Sequence, residues 1–127
     1  MRPINVLIVD DVPFMRQFIK SCLQMSFPEA TAEEAGNGAS ARERLLGSPF
    51  DLVLCDWEMP TLKGDELLQW MRSEGTLRDV PFIMITGKRE KEFIIKALEL
   101  GVTDYVIKPV NCDTLAKKII SALKGRS

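Results

Sequence analysis

The chain has 127 residues, which is enough for one domain with its own hydrophobic core and leaves no room for a second. Its composition, 46% hydrophobic and 28% charged without repeats or low-complexity tracts, excludes a disordered or fibrous protein. The net charge is −1, but acids predominate in residues 1–86 and basic residues in 87–127. Because those basic residues alternate with acids and lack aromatic neighbours, we predict a solvated helix face and no direct nucleic-acid binding.

The three cysteines, Cys22, Cys55 and Cys112, are an odd number without a CxxC pair. This pattern indicates neither a disulfide framework nor a zinc site, and a reducing cytoplasm fits it best. The N-terminal residues lack a charged stretch followed by a signal-like apolar run, and no run approaches the roughly 18 apolar residues that span a bilayer. We therefore expect a cytoplasmic protein that is neither exported nor membrane-spanning.

Five short segments have the composition of β-strands. Four are runs rich in Val, Ile and Leu that end at a polar residue, as is typical of strands buried on both faces, and they cover residues 6–9, 52–55, 82–85 and 105–107. The fifth segment, residues 31–35, alternates small and charged side chains. That alternation predicts an edge strand with one wet face.

Helical segments are predicted between these strands. Apolar residues recur at i, i+3, i+4 and i+7 from residue 15 and again from residue 116, and Asn111 is suited to cap the last helix. Glycines that suit the left-handed position after a helix stand at Gly47, Gly75, Gly101 and Gly125. Five strands alternating with five helices imply parallel pairing through right-handed crossovers. We therefore predict a doubly wound α/β fold, with helices on both faces of one sheet.

In such a sheet, ligands bind beyond the carboxyl ends of the strands. The residues expected there are Asp10 and Asp11, Asp56, Thr86 and Lys108. Because packed carboxylates repel one another, three aspartates favour a bound cation, and oxygen ligands suit Mg²⁺, with Mn²⁺ as the alternative. The lysine and the threonine are donors that suit the oxygens of an anion, most simply a phosphoryl group. Asp56, in the middle of the sheet, is the best-placed nucleophile.

Four motifs accompany these residues: Asp10-Asp11, Asp56-Trp57-Glu58-Met59-Pro60 with Gly64 following, Thr86-Gly87, and Lys108-Pro109. Together they resemble the receiver domain of response regulators, and the chain is similar to the single-domain chemotaxis type. The likeness covers essentially the whole chain, so we predict one receiver domain at residues 1–127. It implies a flavodoxin-like sheet of five parallel strands in the order 2-1-3-4-5.

The resemblance implies phosphoryl chemistry at Asp56. A histidine kinase or a phosphotransfer protein would supply the phosphoryl group, and Lys108 would pair with it. Asp11, Asp56 and the Glu58 carbonyl would ligate Mg²⁺, with Asp10 supporting the metal through water. The sequence has no histidine, so the donor must be another molecule.

The resemblance also implies a switch rather than a turnover enzyme. Phosphorylation adds roughly −1.5 to −2 of charge, Thr86 would donate its hydroxyl to a phosphoryl oxygen, and Tyr105 would turn inward. The face made by the fourth helix, the fifth strand and the fifth helix would then bind a target protein. A complete switch needs roughly 5 kcal/mol of differential stabilisation, so we expect partial activation before phosphorylation.

Several alternatives stay open. Glu58 would either hydrogen-bond the attacking water or pair with Lys88, and in both cases we expect an altered dephosphorylation rate. Tyr105 is otherwise a half-buried strand aromatic, and the Lys108-Pro109 bond is either cis or trans. Met1 favours a natural N-terminus, while the sequence leaves open whether an output domain follows.

Two rival functions share parts of the pattern. A flavin-binding module of this fold class would need a hydroxyl- and glycine-rich phosphate loop where residues 10–13 read Asp-Asp-Val-Pro. A free-standing aspartyl phosphatase would also use Asp and Mg²⁺, but it would usually carry a DxD-type loop and a cap insertion. Neither feature is visible in the sequence.

Overall fold

A computed structural model describes residues 3–125, and residues 1, 2, 126 and 127 of the predicted domain lie outside the described residues. The strands are β1 (Asn5–Val9), β2 (Thr31–Ala35), β3 (Leu52–Cys55), β4 (Phe82–Thr86) and β5 (Asp104–Ile107). The helices are α1 (Pro13–Ser26), α2 (Gly38–Gly47), α3 (Gly64–Ser73), α4 (Lys91–Glu99) and α5 (Cys112–Lys124). No helix within residues 3–125 is long and apolar enough to cross a membrane.

The five strands form one parallel sheet in the order β2-β1-β3-β4-β5. The predicted doubly wound fold and its flavodoxin-like strand order are confirmed. β3 lies between β1 and β4, with Val9 opposite Cys55 and Cys55 opposite Met84. The carboxyl ends of β1, β3 and β4 are therefore adjacent, which brings the residues that follow them to one edge of the sheet.

Two apolar layers cover the two faces of the sheet, because successive side chains of a strand point in opposite directions. On one face, alternate strand residues pack with α2, α3 and α4, among them Leu7, Val53, Phe82 and Met84. On the other face, the intervening residues pack with α1 and α5, among them Val6, Ile8, Leu54 and Ile83. β2 is only partly buried, which confirms the predicted edge strand.

The prediction of left-handed glycines after four helices is right at one position. Gly101 follows α4 with a φ of 91°, whereas Gly47, Gly75 and Gly125 do not adopt a positive φ. Gly47 is the last residue of α2 itself, and the extended Ser48 ends the helix by donating its amide to the Arg44 carbonyl. These helices end through extended or right-handed residues, which do not require glycine.

The helix N-termini use side-chain caps where the sequence predicts one. The Asn111 side chain accepts a hydrogen bond from the Thr114 amide at 3.0 Å, which confirms it as the cap of α5. Asn37 caps α2 in the same way through the Ser40 amide, at 2.8 Å. The capped end of α5 directly follows the segment that carries the site residue Lys108. Within that segment, the peptide bond between Lys108 and Pro109 is cis.

The prediction of no disulfide is wrong. Cys22 of α1 and Cys112 at the start of α5 are bonded to each other, with their Cα atoms 5.1 Å apart and a sequence separation of 90. Because α1 and α5 pack side by side on one face of the sheet, the fold brings together two cysteines whose spacing carries no local signal. Cys55 is free and buried.

Candidate functional site

The predicted site residues lie at the carboxyl edge of the sheet. Asp10 directly follows β1, Asp56 follows β3 and Lys108 follows β5. Thr86 is the last residue of β4 and not the residue after it, because its pairing with Ile107 extends the strand by one position. Asp10, Asp56 and Thr86 are buried, with 1%, 8% and 1% of their surfaces exposed.

Three carboxylates meet at this edge. Asp10, Asp11 and Asp56 each offer an oxygen that lies within 4.8 Å of the other two, and of these residues only Asp11 is exposed to solvent. A set of oxygen donors that is open on one side fits Mg²⁺, which binds one or two carboxylates and retains water in its other positions. The donor set therefore suits a divalent cation at the position that the sequence predicts.

Lys108 reaches into the same cluster. Its Nζ donates to Asp10 Oδ2 at 2.9 Å and to Asp56 Oδ2 at 3.0 Å. Burial acts to lower the pKa of the Lys108 ammonium, but its hydrogen bonds to Asp10 and Asp56 outweigh burial and raise that pKa above its ordinary value. A cationic side chain thus bridges two buried acids, Asp10 after β1 and Asp56 after β3.

The carboxylate of Asp56 is held on both oxygens. Oδ1 accepts a hydrogen bond from the Trp57 amide at 2.6 Å, and Oδ2 accepts the bond from Lys108. Gly64 donates its amide to the Trp57 carbonyl at 2.8 Å, and a Cβ at Gly64 would overlap the Asp56 carbonyl oxygen. The strand end and the start of α3 therefore approach too closely for any residue but glycine at this point.

The burial of Cys55, next to Asp56, makes its thiol unreactive. The buried Sγ donates to the Asp56 carbonyl at 3.1 Å. Burial, and then the charges of Asp56, Asp10 and Asp65, raise the pKa of the Cys55 thiol well above its usual value. A thiol that stays protonated in an apolar layer is a packing group and a poor nucleophile.

Thr86 and Tyr105 meet at the backbone of Lys88. The Thr86 hydroxyl oxygen accepts a hydrogen bond from the Lys88 amide at 3.3 Å, and the Tyr105 hydroxyl donates to the Lys88 carbonyl at 2.5 Å. Burial, and then the charges of Glu90 and Asp56, raise the pKa of Tyr105 to about 12. The two residues predicted to switch thus hold opposite ends of one residue in the loop after β4.

Glu58 pairs with Lys88. Its Oε1 lies 3.2 Å from Lys88 Nζ, and both side chains are partly exposed. Of the two arrangements left open for the Glu58 side chain, the structure has the ion pair. The pair joins the loop after β3 to the loop after β4, so it connects the surroundings of Asp56 with those of Thr86.

Two basic residues near the site are absent from the sequence-based prediction. Lys96 of α4 pairs with the buried Asp65 of α3 at 3.0 Å and lies 5.9 Å from the ring centre of Trp57. Arg16 of α1 donates to the Asp10 carbonyl at 2.7 Å. Both residues lie on helices, and no local spacing in the sequence indicates which strand end their long side chains reach.

A family model described as the response regulator receiver domain matches residues 6–120. The chain belongs to this family. Its predicted membership is thereby confirmed.

Chemotaxis regulators are among the relatives of this receiver domain. It is 37% identical over 116 residues to chemotaxis protein CheY-3 of Vibrio cholerae, covering 91% of this chain and 88% of that protein. It is also 37% identical over 115 residues to chemotaxis protein CheY of Pseudomonas aeruginosa, covering 91% and 92%. The predicted resemblance to chemotaxis-type regulators of two-component systems is therefore confirmed.

Solved receiver structures have the same fold. Chemotaxis response regulator CheY4 of Vibrio cholerae superposes with a TM-score of 0.88 at 28% identity, covering 96% of this chain and 100% of that one. A CheY-like receiver domain protein of Methanospirillum hungatei gives 0.87 at 30% identity, with 98% and 96% covered.

Proposed function

We propose that this receiver domain, spanning residues 1–127, is a phosphorylation-dependent switch of a two-component system that accepts a phosphoryl group on Asp56. The observation that carries the proposal is Lys108 Nζ, which lies within 3.0 Å of both Asp10 and Asp56 inside a cluster of three carboxylates. A cation and an acid cluster together match the charges of a phosphoryl group and of the metal ion that accompanies it.

The Asp56 carboxylate is the nucleophile in this proposal. One of its oxygens attacks phosphorus, the bond from phosphorus to the donor nitrogen breaks, and an acyl phosphate forms on Asp56. Its hydrogen bonds to Trp57 and Lys108 hold it in one orientation before the attack. Lys108 then stays beside the phosphoryl oxygens, where its positive charge opposes the charge that they bring.

Asp10, Asp11, Asp56 and the Glu58 carbonyl would hold Mg²⁺ or Mn²⁺. When bound, the ion neutralises charge on the phosphoryl oxygens. Asp11 is exposed to solvent, so the incoming donor would approach the cluster from the side of Asp11. Asp10 is buried and engaged by Lys108 and by the Val12 amide, which suits a supporting role through water.

The switch would act through Thr86, Lys88 and Tyr105. Phosphorylation adds roughly −1.5 to −2 of charge beside a hydroxyl that can turn and donate to it. Because Thr86 accepts from the Lys88 amide, its movement displaces the loop whose carbonyl Tyr105 binds. The charge change at Asp56 would thereby alter the hydrogen bond of Tyr105, a residue of β5.

The output face proposed on α4, β5 and α5 has exposed apolar side chains. They are Ile95 and Leu98 of α4, Ile107 of β5 and Ile120 of α5, which are 44%, 63%, 38% and 44% exposed. Large exposed apolar side chains grouped on neighbouring elements are typical of a protein interface. We propose that the downstream target protein binds here.

The phosphodonor would be a histidine kinase or a phosphotransfer protein. It must be a separate molecule, because the chain itself has no histidine.

We propose that the protein works in the cytoplasm, without binding membrane or nucleic acid directly. The Cys22–Cys112 bond is unusual for that compartment, because cytoplasmic thiols are mostly kept reduced. Trapping the thiols with an alkylating reagent before cell lysis would show whether the bond is present there.

A small acyl phosphate tests the proposal directly. Purified protein is incubated with acetyl phosphate and Mg²⁺, and its intact mass is followed. We expect one added phosphoryl group on the wild type and on Asp79→Asn, an exposed aspartate outside the site, and none on Asp56→Asn. Labelling of Asp56→Asn at the wild-type level would refute the proposal.

The same measurement separates the rival functions. A receiver keeps its phosphoryl group long enough for the mass to show it and hydrolyses it slowly. Rapid release of phosphate over many turnovers would instead indicate an aspartyl phosphatase. A yellow protein with flavin absorption would indicate a flavin-binding module.

A further inference from the structure

We infer that Arg16 is a positioning residue for the metal-binding acids, acting through the backbone between Asp10 and Asp11. The inference rests on the proposed function, because it concerns the Mg²⁺ site of that proposal. Arg16 lies in α1, and 18% of its side chain is exposed. It contacts the site at a carbonyl group and not at a carboxylate.

The carbonyl in question belongs to the peptide group that joins the two acids. Arg16 Nη1 donates to Asp10 O at 2.7 Å. Since a peptide group is planar, fixing the direction of this carbonyl also fixes the Asp11 nitrogen and limits the directions available to the Asp11 side chain. The side chain of Asp10 is fixed separately, by the Val12 amide at 2.9 Å and by Lys108.

The neighbouring strand supports this arrangement. Asp10 donates its amide to the Ala35 carbonyl at 3.1 Å, which continues the pairing of β1 with β2 by one residue. Beyond that point the chain leaves the sheet, and Asp11 is exposed. The Asp10–Asp11 peptide is thus the place where ladder pairing ends and a side chain takes over the hydrogen bonding.

Arg16 is itself held in place. Its Nε donates to Glu34 Oε1 of β2 at 3.0 Å while Nη1 serves the carbonyl, so one planar guanidinium satisfies two acceptors. Gln17 Nε2 also donates to Glu34, at 3.3 Å. A lysine has a single nitrogen at its end and cannot reproduce this pair of directed bonds.

Charge and geometry predict opposite effects of removing Arg16. A positive charge beside three carboxylates opposes the binding of a divalent cation, so its loss should tighten Mg²⁺ binding if charge alone mattered. If Arg16 instead orients the acids, its loss should weaken binding. The sign of the change therefore distinguishes the two roles.

Lys20 supplies the matched control. It lies one helical turn after Arg16, and its Nζ is 3.8 Å from Glu34 Oε2. Among the described residues, the contact with the Asp10 carbonyl belongs to Arg16 and not to Lys20. Lys20→Met removes the same charge next to the same glutamate without touching the acid pair.

The experiment measures the Mg²⁺ dissociation constant of the full chain by isothermal titration calorimetry. We expect a roughly tenfold weaker constant for Arg16→Met, as is typical when a residue that orients metal ligands is lost, and less than a twofold change for Lys20→Met. Binding by Arg16→Met that equals or exceeds the wild type would overturn the inference.

A further variant, Arg16→Lys, and a melting measurement separate the positioning role of Arg16 from the effects of its charge and of unfolding. Arg16→Lys keeps the charge and removes the directed bonds, so we expect weaker binding here too, whereas a pure charge effect would leave it at the wild-type value. Melting in EDTA identifies a temperature at which every variant is folded, and a merely structural arginine would leave the Mg²⁺ constant unchanged there. If the wild type itself binds no Mg²⁺, the proposed function fails, which is a different result from a wild type and an Arg16→Met that bind equally.

Discussion

On one side of the site, Asp10 and Asp56 are buried beside β1 and β3. On the other side, Glu58 and Lys88 form an ion pair in which 50% and 34% of the side chains are exposed. We call the first the acceptor side, with Asp10, Asp56, Lys108 and Gly64, and the second the switch side, with Glu58, Thr86, Lys88 and Tyr105. The acceptor side is held by buried charges and close backbone packing, and the switch side by a few bonds to one loop.

This difference matches the work that we propose for each side. Phosphoryl transfer requires atoms held in a fixed geometry, which buried and fully bonded groups provide. A switch requires two arrangements that differ by only a few kcal/mol, and an exposed ion pair contributes only about 0–1 kcal/mol. One phosphoryl group can therefore rearrange the switch side while the acceptor side stays in place.

Two glycine substitutions should show the largest contrast. A Cβ at Gly64 would overlap the Asp56 carbonyl and lie 2.9 Å from the Trp57 Cα. Around a Cβ at Gly87, no atom of the described residues beyond its two chain neighbours lies within 4 Å. We expect Gly64→Ala to lower the free energy of unfolding by about 3 kcal/mol, and Gly87→Ala to change it by less than about 0.5 kcal/mol. Urea unfolding measures both, and similar values for the two would contradict the contrast.

Removing Lys108 should weaken the acceptor side through charge. Lys108→Met leaves two carboxylates without their shared cation, and we expect a loss of about 2 kcal/mol of unfolding free energy, less than for a fully buried pair. Added Mg²⁺ should restore part of this loss. Lys118→Met, which breaks the partly exposed pair with Asp104 at 2.9 Å, serves as control and should cost under about 1 kcal/mol.

Tyr105 should titrate abnormally. It is the single tyrosine of the chain, so its ionisation can be followed by ultraviolet absorbance, and we expect a pKa of about 12 instead of 10. Between these values the unfolded chain loses the phenolic proton and the folded chain keeps it, so stability should fall as the pH rises from 10 to 12. Tyr105→Phe should lack this decline and lose about 1 kcal/mol from the missing hydrogen bond. Ionisation near pH 10 in the native protein would contradict the burial of the hydroxyl.

The smallest expected effect concerns Glu58 and Lys88. Because their pair bridges two loops beside Asp56, Glu58→Asn should admit water more easily and shorten the lifetime of the phosphoryl group about twofold. Lys88→Met should have a similar effect, and the double variant should add little to either single one. Equal lifetimes in wild type and Glu58→Asn would show that the pair does not influence dephosphorylation.

Local patterns were sufficient for the fold class and for the residues at the carboxyl edge of the sheet. Runs such as 52–55 are apolar because both faces of a central strand are covered, and a parallel sheet brings the residues after its strands to one edge. For this reason the sequence alone predicts that Asp10, Asp56 and Lys108 meet. The helix ends were less predictable, since Gly47 and Gly125 end helices without a left-handed residue.

The sequence by itself therefore determined the α/β fold, its family and the chemistry available at the strand ends, because these follow from periodicity and from motifs of adjacent residues. Only the tertiary structure decided that Cys22 bonds to Cys112, that Glu58 pairs with Lys88, and that Arg16 reaches the Asp10 carbonyl. Contacts of this kind join residues of different helices and loops, and which residues meet depends on how these elements pack in three dimensions.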